Sequence, residues 1–257
     1  MKLALLSDLH ANRQAFDACM AHARAQGAER FALLGDLVGY GAEPRYVVQQ
    51  AMALAAQGAV LVQGNHDAQA ADPPAVSAAA QQAPSMAALS AAWTHAQLAA
   101  EERDFLAALP LTAVLDGVLL VHATADAPER WRYADNAVVA QQSLDAATQH
   151  PGVQHVFCGH VHQQSLFYRG TGRGLMRFAP VAGVDIPVAP HRQWLATVGS
   201  VGQPRDGDAR AMYALLDTRA WLLRFERVAY DHEAAAAAIR ATGALPEFFA
   251  QRLERGQ

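Results

Sequence analysis

Aspartate and histidine recur in this chain at one kind of place, just past a short apolar run. "KLALLSD" runs into Asp8 and His10, "RFALLGD" ends on Asp36, and "AVLVQGN" runs into Asn65, His66 and Asp67. "LTAVLDGVLLVH" ends on His122, and "VQHVFCGHVH" ends on His160 and His162. Asn and Asp favour turns, so Asp8, Asp36, Asn65 and Asp67 each have a plain local explanation. The histidines at the same positions do not. Neutral imidazole and carboxylate without thiolate suit borderline first-row metals such as Mn, Fe, Ni or Zn. Setting His66 and Asp67 aside leaves Asp8, His10, Asp36, Asn65, His122, His160 and His162, too many for one ion with an open position. Two ions sharing a carboxylate, roughly 3.5–4 Å apart, would use them all and could clamp both oxygens of a phosphoryl displacement. Six other histidines, His22, His95, His150, His155, His191 and His232, read as surface or satisfied core residues.

Those positions need elements that deliver them to one place. "KLALLSD", "RFALLGD" and "AVLVQGN" read as strands separated by helices. The first helix carries Phe16, Met20 and Ala23 on one face and stops at Gly27, and the second opens at Pro44 and closes at Gly58. That order predicts a parallel sheet with helices packed on it, and ligands in such sheets bind beyond the carboxyl ends of the strands. All the residues above should therefore collect on one edge of one sheet. Residues 68 to 84, with Pro73, Pro74 and Pro84, read as a loop, and an Ala-rich stretch from about 85 to 109 reads as one long, lid-like helix. A hairpin turning at Asp116-Gly117 and a helix over roughly 134 to 149 follow. From about residue 163 short antiparallel strands dominate, ending in the hairpin "AMYALLD"/"AWLLRFER". Asp231 caps a final helix and Pro246 opens a short last one. No linker-like break divides the chain, so residues 1–257 read as a single two-sheet domain.

Composition narrows the partners. Of 257 residues 52% are hydrophobic and 17% charged, and the formal net charge is −4, so the chain is globular without a clear nucleic-acid surface. Cys19 and Cys158 stand alone and read as small buried hydrophobes, which argues against a disulfide framework or a Cys-based zinc site. The apolar N-terminal run is too short for a signal peptide, and no stretch approaches a membrane span of roughly 20 residues. These features predict a cytoplasmic protein that does not engage a membrane.

The ordered blocks "DLH…GDLVGYG…GNHD…VH…GHVH", spread over residues 8 to 162, resemble the calcineurin-like metallophosphoesterases. The tail "VGSVGQPRDGDARAMYALLD" is similar to their small bacterial YfcE-like members. The resemblance implies an α/β fold, a four-layer α/β/β/α sandwich of two mixed sheets flanked by helices. It also implies two divalent transition-metal ions, one on Asp8, His10 and His162 and the other on Asn65, His122 and His160, with Asp36 bridging them. His66 would stabilise the transition state or protonate the leaving oxygen, and Asp67 would orient its ring. A hydroxide bridging the metals would attack phosphorus in a small phosphodiester or nucleotide, since bound metal lowers water's pKa from about 15.7 toward about 7. The alternative readings for this chain are a serine/threonine phosphoprotein phosphatase or dinucleoside polyphosphate hydrolase and, third, a non-catalytic metal-binding scaffold.

Further residues sit near these blocks. Asn12 and Tyr40 follow ligand blocks and are candidates for the substrate pocket. Arg205 in "GQPRD" offers a bidentate fork to a phosphate oxygen, or a structural pair with Asp206 or Asp208. Arg13 and Arg130 are weaker candidates. "RGTGRGLM", with Gly170, Gly172 and Gly174, sits between strands and reads as a hairpin turn rather than a phosphate loop. "VGSVG" lacks the spacing of a nucleophile elbow and reads as a tight turn near the site.

Overall fold

The structure, a computed structural model, describes residues 1–73, 85–170 and 174–257. Pro74, Pro84, Gly172 and most of the expected 68–84 loop therefore lie outside the described residues.

The first strand, β1 (Lys2–Leu6), shows how the layers are built. Successive side chains of a strand point to opposite faces, and here both faces are buried. Ala4 and Leu6 pack toward helices, while Leu3 and Leu5 pack toward a second sheet. Strand β1 pairs in parallel with β2 (Arg30–Leu33), which pairs in parallel with β3 (Val60–Leu61). On its other side β1 pairs antiparallel with β11 (Ala211–Asp217), and the sheet continues through β12 (Leu222–Val228) to β9 (Asp185–Pro187). The second sheet runs β4 (Thr112–Leu115), β5 (Val118–Val121), β6 (His155–Cys158), β10 (Trp194–Val198), β7 (Gln164–Arg169), β8 (Leu175–Phe178). Strands β5, β6 and β10 are parallel to one another.

Among the described residues eight α-helices flank the sheets. Helices α1 (Arg13–Ala25), α2 (Pro44–Ala56), α3 (Asn65–Ala71), α4 (Met86–Gln97) and α5 (Ala100–Ala108) lie in the first half of the chain. The others are α6 (Ala137–Ala147), α7 (His232–Ala241) and α8 (Glu247–Arg255). One apolar layer joins α1 and α2 to the first sheet through Phe16, Cys19, Val47 and Leu54. A second fills the space between the sheets with Leu3, Leu5, Phe157 and Phe225. A third seats α6 on the second sheet through Leu119, Val121 and Leu144. At about 1.5–3 kcal/mol for each fully buried large apolar side chain, these layers hold the strand ends in a fixed relation. This is the expected four-layer α/β/β/α sandwich. None of the described helices is long and apolar enough to cross a membrane.

Four expectations need correction. The antiparallel strands of the second half do not stay together; β9, β11 and β12 complete the first sheet, and β7 and β8 the second. Residues 68 to 71 are not loop, because Gly64 starts α3 and Asp67 takes the Gly64 N–H at 2.9 Å, filling one of the donors a helix start leaves free. The 85–109 stretch is two helices broken at Leu98 and Ala99, where the Glu102 carboxylate accepts the Ala99 N–H at 2.8 Å. Helix α4 reaches toward the strand ends through Ser90, whose hydroxyl accepts the Tyr40 N–H at 2.6 Å. Strand β9 has no alternating pattern in the sequence and was not expected.

Asn12 is the fourth correction. It N-caps α1, its Oδ1 accepting from Ala15 N at 3.1 Å, and its Nδ2 donates to Gly202 O and Tyr230 Oη. Its hydrogen-bonding capacity is spent inside the fold, and it is only 3% exposed. A cap is worth about 1 kcal/mol and a buried hydrogen bond about another 1 kcal/mol. Asn12→Ala should therefore lower the unfolding free energy by about 2 kcal/mol in urea titrations; an unchanged midpoint would refute the structural role.

Candidate metal centre

The carboxyl ends of six parallel strands meet here. Strands β1, β2 and β3 deliver Asp8, Asp36 and Asn65 from the first sheet, and β5 and β6 deliver His122 and His160 from the second. Beyond β10 the chain brings Ser200 and Gln203 to the same place, where Ser200 Oγ donates to Asp8 O. The site thus straddles both sheets, not one edge of one sheet as expected from the sequence. The turns that follow the strands are tight. Asp8, His10, Asp36, His160 and His162 all have left-handed backbones, with φ between 48° and 65°. Such conformations cost a residue with a side chain about 1–3 kcal/mol each and persist only where the surroundings enforce them.

Two groups of acceptors result, Asp8 with His10 and His162, and Asp36 with His122 and His160. Within each group the ligating atoms lie within 4.8 Å of one another, and every member is buried. The backbone fixes which ring nitrogen faces inward. His10 Nδ1 lies 3.2 Å from Val38 O, His122 Nδ1 2.8 Å from Leu34 O, and His162 Nδ1 2.6 Å from Gln203 O. A carbonyl can only accept, so each Nδ1 carries the proton and each Nε2 presents a lone pair. Those lone pairs point at other acceptors. His10 Nε2 faces His162 Nε2 at 3.1 Å, and His122 Nε2 faces His160 Nδ1 at 3.1 Å and Asn65 Oδ1 at 3.3 Å. Asp8 Oδ1 is buried without a hydrogen-bond donor, 3.2 Å from His162 Nε2. Lone pairs facing one another repel unless a proton or a metal ion lies among them, and nitrogen and oxygen donors converging at this spacing fit a metal ion. Asp36 stands between the groups, its Oδ2 3.3 Å from His122 Nε2 and 3.9 Å from His10 Nε2.

The local field agrees. Burial would raise the carboxyl pKa of Asp8 and Asp36, yet the neighbouring histidines outweigh it and both lie below the usual carboxylate range. Burial opposes charge on His122 too, but Asp36 lifts it to about 9. His160, desolvated and beside His122, falls to about 4. A site that draws a proton onto a buried imidazole will draw a metal cation.

His66 and Asp67 stand in the first turn of α3, where successive side chains fan out by about 100°. Asn65 therefore meets His122 while His66 turns into a cavity and Asp67 turns into the fold. The His66 backbone N–H donates to Asp36 Oδ1 at 2.8 Å, and its ring packs edge-on against Tyr40, centroids 4.4 Å apart. Gly39 leaves room for that ring; a Cβ there would press on His66 Nδ1 at 2.9 Å. Burial lowers the His66 pKa, with Asp36 opposing. The expected contact of Asp67 with the His66 ring is absent. Asp67 Oδ1 accepts from Leu37 N at 2.8 Å and Val38 N at 3.3 Å, and Oδ2 accepts from Gly64 N. Its carboxylate ties the turn after β2 to the start of α3, and Tyr40 orients the His66 ring.

The cavity over the acceptors holds about 190 Å³. Tyr40 and Arg205 line it together with Tyr133, which stacks on the His160 ring at 4.2 Å. Arg205 does not pair with Asp206 or Asp208, which pair instead with Arg227 and Arg210. Arg13 and Arg130 lie on the surface beside Glu43 and Glu129. His22 and His95 bond Tyr213 Oη and Ala70 O, and His155 bonds Val188 O through Nε2 while its buried Nδ1 has no partner among the described residues. Tyr133 and Gln203 escaped the sequence reading. "RWRYAD" has no pattern that separates it from an ordinary loop, and Gln203 meets His162 and Arg252, both distant in the chain.

Known proteins share this frame. A crystal structure of a metallophosphoesterase from Sphaerobacter thermophilus is 30% identical, with full coverage of both chains and a TM-score of 0.82. A hypothetical protein from Pyrococcus horikoshii OT3 has the same fold, at 18% identity, coverage of 100% of this chain and 98% of that one, and a TM-score of 0.75. An uncharacterized protein of Methanocaldococcus jannaschii is 29% identical over 99% of this chain and 98% of its own length. The family model of the calcineurin-like phosphoesterase superfamily domain matches residues 1–220, a span that contains every acceptor described above, and the chain belongs to that superfamily.

Proposed function

We propose that the protein is a dinuclear metal-dependent hydrolase of phosphodiesters or nucleotides. The observation that supports this most directly is the pair of inward-facing acceptor groups meeting at Asp36. Asp8, His10 and His162 would hold one ion, Asn65, His122 and His160 the other, and Asp36 would serve both. Nitrogen and oxygen donors without sulfur suit Mn, Fe, Ni or Zn. Ions bound there supply Lewis-acid charge at the phosphoryl oxygens and an acidified water at neutral pH.

The chain's own residues account for the rest. His66, inside the cavity with Nδ1 free of any hydrogen bond among the described residues, would donate to the phosphoryl group or to the leaving oxygen. Asp67 is a positioning residue, since its bonds to Leu37, Val38 and Gly64 hold Asp36 and His66 in register. Tyr40 and Arg205 would contact the substrate. A cavity of about 190 Å³, with Ala87 of α4 on its wall, favours a small ester over a folded phosphoprotein. Retention of His66 beside a full acceptor set argues for catalysis over a scaffold. The two buried cysteines and the apolar layers running through the whole chain support a single cytoplasmic domain.

Metal analysis of the purified protein should find about two divalent ions per chain, and Asp36→Ala should hold fewer than one. Two ions retained by that variant would contradict the shared carboxylate. His66→Ala should keep its ions while hydrolysis of bis-(p-nitrophenyl) phosphate with added Mn falls by about 10²–10⁴-fold; wild-type turnover would remove His66 from the chemistry. Asp67→Asn replaces an acceptor with a donor facing backbone N–H groups, so melting temperature and ion content should fall together. Loss of turnover alone, with both of those intact, would instead mean that Asp67 acts through His66.

A further inference from the structure

Gln203 is buried, 1% exposed, and its side-chain oxygen collects two arginines. Arg205 donates to Gln203 Oε1 from Nε at 3.2 Å and from Nη2 at 2.8 Å, and Arg252 of α8 donates from Nη1 at 3.1 Å. Two cations thus share one neutral acceptor. Among the described residues neither guanidinium has a carboxylate within 4.0 Å, although Asp206 and Asp208 lie in the same loop as Arg205 and bind other arginines. Like charges normally avoid such an arrangement. Arg252 pays for it, since burial and then Arg205 both lower its pKa.

Arg205 is built into the wall of the metal cavity, and Arg252 backs it through the shared Gln203 oxygen. Arg205 lines that cavity beside His66, His160 and His162. Arg252 is held by the Phe248 ring, 4.6 Å below its guanidinium, and its helix is anchored by Phe249 against Tyr40, with centroids 5.0 Å apart. Tyr40 touches the His66 ring on one side and has Arg205 5.9 Å from its centroid, spacing the cation from the histidine. Gln203 also fixes His162 through its carbonyl, so one residue sets the span between the acceptor groups and the arginine pair. Guanidinium groups recognise phosphate oxygens through paired N–H donors.

We propose that Arg205 and Arg252 form a second anion subsite, which selects substrates carrying another phosphate next to the one that reacts. Substrates of that class are nucleoside polyphosphates, dinucleoside polyphosphates and phosphodiesters with an adjacent phosphate. The position of the reacting phosphate rests on the phosphoesterase reading above; the second anion site does not.

Two measurements separate these layers. Calorimetric titration of metal-free protein with inorganic pyrophosphate should show binding that weakens at least tenfold in Arg252→Gln and is largely restored in Arg252→Lys. Equal affinity in Arg252→Gln and wild type, with folding verified by circular dichroism, would overturn the subsite; failure of Lys to restore binding would reduce Arg252 to a structural role and overturn it as well. In Mn-loaded protein, the ratio of kcat/KM for diadenosine tetraphosphate to that for bis-(p-nitrophenyl) phosphate should fall at least tenfold in Arg252→Gln. An unchanged ratio would overturn the selection of a second phosphate. Wild-type protein that binds pyrophosphate through Arg252 but hydrolyses neither ester would overturn the phosphoesterase reading and leave the anion site standing.

Discussion

Buried lone pairs that face one another organise this molecule. His10 and His162 present Nε2 to each other at 3.1 Å, and His122 meets His160 and Asn65 in the same way. Donor atoms crowd one another there, so the fold must hold each ring from outside. It does so with carbonyls. Val38, Leu34 and Gln203 each take the outer N–H of one imidazole, which fixes ring orientation and tautomer together. Partners of this kind behind a ligating histidine set both its aim and its basicity.

The carbonyls are in place because the strands are. Strands β1, β2 and β3 end together in one sheet and β5, β6 and β10 in the other, and the apolar layer between the sheets fixes one set of ends against the other. Left-handed turns at Asp8, His10, Asp36, His160 and His162 then aim side chains across the gap within one or two residues of the strand. Local strain at those turns is sustained by the packing of the strands that precede them. The Asp67 carboxylate belongs to the same system, since it stitches the turn after β2 to the start of α3 through three backbone N–H groups.

The wall of the cavity is assembled on a different principle. Tyr40, Arg205 and Tyr133 come from three separate segments, Arg252 backs Arg205 from a fourth, and what joins them is ring packing and one buried amide. Helix α8 reaches the site through Phe249, which docks on Tyr40, and Arg252, which bonds Gln203. The acceptor groups could belong to many phosphoesterases, whereas this wall is where preference among substrates would reside.

Sequence alone determined the strands that precede each candidate acceptor and the final helix capped by Asp231, because each depends on local pattern, an apolar run or a helical period closed by a polar residue. The four layers followed from the family resemblance of the ordered blocks. Sequence alone misassigned Asn12 to the pocket because a side chain next to a ligand block can equally well be spent on a helix cap, and only the fold says which. The family resemblance aimed Asp67 at His66, but adjacent residues in a helical turn point about 100° apart. Tertiary structure also decided that the site straddles both sheets, that Arg205 meets Arg252 rather than a neighbouring aspartate, and that Tyr133 covers His160. Those contacts join residues far apart in the chain, and no local periodicity records them.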